Sequence, residues 1–136
     1  MNFYSFSFIH RTYDYDEKLY YLLFKFKSTI LNQVYLVSLY EYPNNIYIAK
    51  FYLKSERFSP NKYTNTTFGK HSHLNISSSD YVKNFFLVMN TILQIAIRIS
   101  EDNKSASFGF LGAHKDDERD KMNSDNTFSN TKRYLV

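Results

Sequence analysis

Four histidines are the residues able to exchange a proton near neutral pH, and three of them fall in two polar stretches. His71 and His73 stand two apart in His71-Ser72-His73, so on an extended segment both imidazoles point the same way. They could share a metal or act as an acid–base pair, but no third ligand lies near them in the sequence. His114 opens HKDDER, His114 to Arg119, where one imidazole adjoins three carboxylates and two cations. That set suits acid–base work on a phosphodiester, and equally a solvated charge run. Near the C-terminus Lys132, Arg133 and Tyr134 form a candidate ligand-binding motif, Thr131-Lys132-Arg133-Tyr134. Neighbours on a strand face opposite ways, so Arg133 could fork onto a phosphate while Tyr134 packs. Arg133 could also pair inside the fold with Glu41 or Asp80, or simply keep an edge strand charged.

Little else in the chain is built for catalysis. No glycine-rich phosphate loop, HExxH helix or GxSxG elbow is present, and with no cysteine there is no thiolate site. The expectation is a chain without metal or cofactor, more a binding protein than an enzyme. A fourth feature is aromatic: Tyr and Phe beside Lys25, Lys27, Lys50 and Lys54 would make a base-stacking platform if one sheet face were open to solvent. Burial or a subunit interface accounts for the same rings.

The elements that must position these residues are led by Asp80 to Ser100, DYVKNFFLVMNTILQIAIRIS. Tyr81, Phe85, Val88, Ile92, Ile95 and Ile99 recur at steps of three and four and predict an inner helical face. Phe86, Leu93 and Ile97 are read as widening that face, leaving Lys83, Leu87, Asn90, Gln94 and Arg98 outside. Asn90, Gln94 and Arg98 would each cost several kcal/mol in hydrocarbon, so no membrane span is expected. Ser77 to Asp80 supply candidate N-caps.

Ahead of the helix, alternation predicts strands over 2–9, 19–27, 33–42 and 46–53, with a polar turn over 10–18. Pro43-Asn44-Asn45 suits a tight hairpin. One more short strand is read over 62–68, another over 106–111 and a last over 131–136. The fold class expected is α+β in a single domain, 1–136. It is an antiparallel β-meander sheet of five to seven strands with one long apolar helix, about 80–100, packed on one face.

The chain has 136 residues, enough to bury roughly two-thirds of its unfolded surface. Its 13 Tyr and 13 Phe with only three Gly, alongside abundant Asn, Ile and Lys, reflect AT-rich codons, pointing to an AT-rich bacterium or its phage. The N-terminus lacks the pattern of a signal peptide, and together with the absence of cysteine this suggests the cytoplasm. A net charge of +4 permits a polyanionic partner without requiring one.

From about Asn61 onward the chain resembles short, uncharacterised bacterial and phage proteins. In these a loop leads to an apolar helix, a strand of the form SFGFLG (here Ser107 to Gly112), a polar loop, and a strand opening Thr-Lys-Arg-aromatic (here Thr131 to Tyr134). That resemblance implies toxin–antitoxin or phage-conflict loci. The function expected is an interaction protein binding a protein partner, with a second copy of the chain as a further candidate. The alternative is a small RNA-directed effector, a metal-independent nuclease using His71, His73 and His114 with Lys132 and Arg133.

Overall fold

The computed structural model describes residues 2–59 and 76–110. Within them the chain forms a five-stranded sheet and one long helix, an α+β fold. Strands β1 (Phe6–Asp14), β2 (Leu19–Ser28), β3 (Gln33–Tyr42) and β4 (Ile46–Leu53) follow one another as an antiparallel meander. Helix α1 (Ser78–Asp102) then crosses one face, and β5 (Ser107–Phe110) joins the sheet beside β4.

Local chemistry explains the turns. Asn44 and Asn45 take the left-handed backbone, at φ 68° and 60°, that closes the β3–β4 hairpin. At the β1–β2 turn the Asp14 carboxylate accepts the amides of Asp16 and Glu17, and Lys18 turns at φ 58°. Ser77 caps α1 by accepting from the Asp80 amide.

Two expectations need correction. The first strand runs Phe6–Asp14 and not 2–9, so much of the stretch read as a polar turn is strand. A β-bulge between Phe8 and His10 shifts the register, after which Arg11 and Tyr13 lie opposite Leu22 and Tyr20. An edge strand tolerates those polar residues because its outer side faces water. The fifth strand is parallel to β4, pairing Ile46 with Ser107 and Ala49 with Phe110. A 25-residue helix carries the chain back along the sheet, so β5 re-enters in the direction of β4. The strands read over 62–68 and 131–136 lie outside the described residues.

The core lies between α1 and the sheet. Phe24, Phe26, Val37, Leu39, Phe51 and Leu53 face Val88, Ile92 and Ile95, all buried. Each such side chain contributes about 1.5–3 kcal/mol through burial. The opposite sheet face is also closed at its centre, with Leu36, Ser38, Tyr40, Ile48 and Lys50 buried. There the Lys50 ammonium lies 4.5 Å from the Tyr40 ring centroid and 3.7 Å from Glu17. The Tyr40 hydroxyl donates to Asp14 at 2.7 Å, which holds the Asp14 carboxyl below its ordinary range.

Candidate interaction surface

His71, His73, His114, Lys132, Arg133 and Tyr134 all lie outside the described residues. Of the partners considered for Arg133, Glu41 is engaged by Arg11, whose Nε and Nη2 donate to its two oxygens at 2.8 and 3.0 Å. Among the described residues no cluster of three His, Asp or Glu forms a metal-ligand set. The lysine platform is short of one of its cations. Alternation along β2 and β4 puts Lys25, Lys27 and Lys50 on the face away from the helix, where Lys50 is buried and paired.

On the helix side, Tyr13, Tyr20, Glu41, Tyr47 and Phe108 form a row across all five strands. Tyr13 and Tyr20 meet edge to face and Tyr47 stacks on Phe108 at 5.4 Å. Arg11 lies 4.0 Å above the Tyr20 ring, and its guanidinium is held more basic than usual by the hydrogen bonds to Glu41.

Helix α1 departs most from its sequence-based reading. Its inner face is Asn84, Leu87, Val88, Thr91, Ile92 and Ile95. Leu87, expected outside, is buried, whereas Phe85, Phe86, Leu93 and Ile97, expected inside, are exposed. The reason is a polar cluster that fixes the helix's rotation. Asn84 Oδ1 accepts from the Tyr4 hydroxyl at 2.8 Å and from Ser28 Oγ at 2.7 Å, while its Nδ2 donates to the Tyr35 hydroxyl at 3.1 Å. Ser28 Oγ in turn accepts from the Leu31 amide. One turn or two further on, Thr91 Oγ1 accepts from the Tyr4 amide at 2.8 Å and donates to the Leu87 carbonyl.

Every member of this set is buried, so a helix rotated away would strand several polar groups without water. Burial raises the Tyr4 and Tyr35 hydroxyls above the ordinary tyrosine range.

Rotation towards Asn84 and Thr91 leaves a second apolar stripe facing away from the sheet. Val82 (50% exposed), Phe86 (62%), Leu93 (54%) and Ile97 (41%) lie on it, with Met89 and Ala96 half-buried at its margin. On the β5 side the stripe borders an apolar groove of about 350 Å³. Met89, Leu93 and Ala96 form one wall, Phe108 and Phe110 the other, and Leu39 and Ala49 contribute to the lining below. Asn90 also lines the groove and donates to the Asn2 carbonyl at 2.9 Å; the sequence signal of this surface is the spacing. Val82, Phe86, Met89, Leu93, Ala96 and Ser100 follow at steps of four, three, four, three and four, a second seam interleaved with the core residues.

Compared with known protein families, curated proteins and solved structures, the chain matches none. Among the described residues, α1 is the one helix long and apolar enough to cross a membrane, with a mean hydropathy of 1.3 over its most apolar window and 33% of that window buried.

Proposed function

We propose that this is a cytoplasmic, non-catalytic interaction protein that binds a protein partner through the outer face of α1. The observation that supports it is the apolar stripe of Val82, Phe86, Leu93 and Ile97 with the groove beside it, a contiguous exposed patch of the kind that marks an interaction site. A setting in bacterial or phage defence, counter-defence or toxin–antitoxin systems belongs to the same proposal and rests on the resemblance of its second half to short, uncharacterised bacterial and phage proteins.

The RNA-directed alternative draws on the aromatic row of Tyr13, Tyr20, Tyr47 and Phe108. Its cation, Arg11, spends its fork on Glu41, so the pair offers a phosphate chain no net positive charge. The apolar stripe is therefore preferred. Pull-down from the native host, with protein and RNA both identified, tests the choice using wild type beside Phe86→Asp. The expected result is a protein partner that Phe86→Asp loses. RNA held equally by both chains, with no protein sensitive to the substitution, contradicts it.

A further inference from the structure

An apolar stripe alone does not say what covers it; here the spacing, the charges and the side-chain sizes narrow the occupant. The 4-3-4-3-4 pattern from Val82 to Ser100 has the spacing by which one α-helix pairs with another. Lys83 and Glu101 stand about five whole turns apart and therefore on the same flank of that seam. Both are exposed, and neither joins an ion pair among the described residues. In an antiparallel pair of identical helices like flanks meet, and the N-terminal end of one lies beside the C-terminal end of the other. Lys83 of each copy then falls near Glu101 of the other, twice over by symmetry.

Side-chain size agrees with the same register. A two-fold axis at the level of Thr91 sets Met89 against Leu93, Val82 against Ser100, and the most exposed ring of the seam, Phe86, against its smallest apolar residue, Ala96. Ala96 is also a wall of the 350 Å³ groove, with Phe108 and Phe110 opposite.

Resting on the protein-binding reading above, we propose that the outer face of α1 is covered by a second copy of this chain. The two helices lie antiparallel, Phe86 of each copy packs against Ala96 of the other, and Lys83 meets Glu101 at both ends. Self-pairing of this kind is isologous, so one patch serves both partners and closes the assembly at two.

Sedimentation equilibrium of the full chain is the first test, and a dimer is expected. Phe86→Asp should weaken it by about a hundredfold or more with the circular dichroism spectrum unchanged, because a charge would enter the seam between the helices. If that variant does not fold, Phe86→Ala gives the same direction of change without the charge. Lys83→Glu and Glu101→Lys should each weaken the dimer on the order of tenfold, and the two together should restore it.

Direction is read by cross-linking, which the absence of native cysteine makes unambiguous. Val82→Cys with Ser100→Cys should oxidise to a covalent dimer, whereas Val82→Cys alone should not. The two positions are about 27 Å apart along one helix, too far to bridge within it. Ready cross-linking of Val82→Cys alone overturns the antiparallel arrangement. A chain that stays monomeric, yet binds a different protein in a Phe86-dependent way, overturns self-pairing and leaves the protein-binding reading standing. A monomer that instead binds phosphatidylcholine vesicles through α1 overturns both.

Discussion

The inner face of α1 carries Asn84 and Thr91, each fully buried, while its outer face carries Phe86 and Leu93, each more than half exposed. By composition the two could almost be exchanged. Burying an amide and a hydroxyl costs about 1–3 kcal/mol apiece unless they are hydrogen-bonded, and here each polar atom has a partner. What the comparison teaches is that hydrophobicity supplied enough apolar surface for two faces, and polar complementarity chose which of them turned inward. Tyr4, Ser28 and Tyr35 are the sheet-side half of that choice. The outer face keeps an apolar seam from Val82 to Ala96.

The largest effect should come from breaking the inner face at its apolar part. Ile92→Asp would bury a carboxylate between α1 and the sheet, costing about 4–5 kcal/mol or more, and should abolish cooperative folding. A variant that still melts cooperatively would remove Ile92 from the core.

Next comes the device that sets the rotation. Asn84→Ala removes the acceptor for the Tyr4 and Ser28 hydroxyls and the amide donor to the Tyr35 hydroxyl, and should cost about 2–3 kcal/mol, read as a shifted denaturant midpoint. If the cluster chooses the inward face, this variant should also expose more apolar surface to a hydrophobic dye. Unchanged stability would mean that apolar packing alone orients the helix.

Much of this was legible in the residues. Strands over 33–42 and 46–53, the Asn-Asn hairpin and a helix close to Ser78–Asp102 follow from alternation, turn chemistry and a period of 3.6. The helix's rotation was not, because periodicity weighs Phe86 and Leu93 as inward and cannot know that Asn84 and Thr91 have partners waiting far away in sequence. Tyr4 is the clearest case. It alternates with Phe6 and Phe8 as if in a strand, yet it lies ahead of β1 and reaches the helix through both its amide and its hydroxyl. The direction of β5 was hidden for a similar reason, since SFGF carries no mark of parallel or antiparallel pairing. For the candidate site, the seam spacing was present in the sequence but was read as extra core.

A smaller effect belongs to Thr91→Val, which keeps the shape and removes the acceptor for the Tyr4 amide. It should cost about 1–2 kcal/mol in thermal or chemical unfolding. No change would show that water replaces the hydroxyl at that site.

The smallest effect at neutral pH, growing only in alkali, concerns Tyr4 and Tyr35. Their hydroxyls ionise above the ordinary value of about 10, so the stability tied to their neutral forms is complete below that pH and is lost as pH rises through their raised folded values. Tyrosine absorbance should show a fraction, from Tyr4 and Tyr35, that ionises only as the protein unfolds. Ionisation of all 13 tyrosines in one early step, with the fold intact, would contradict the buried cluster.

Ile92 and Leu93 are adjacent in sequence and on opposite sides of the central claim, that one helix folds the domain with one face and associates with the other. Leu93→Asp is therefore the most direct measurement, made as a thermal melt and a sedimentation run on the same sample. The account predicts a folded protein that melts cooperatively and has lost association through α1, since a carboxylate at this exposed position meets water in the monomer. A Leu93→Asp chain that fails to fold like Ile92→Asp, or one that folds and associates as well as wild type, would contradict it.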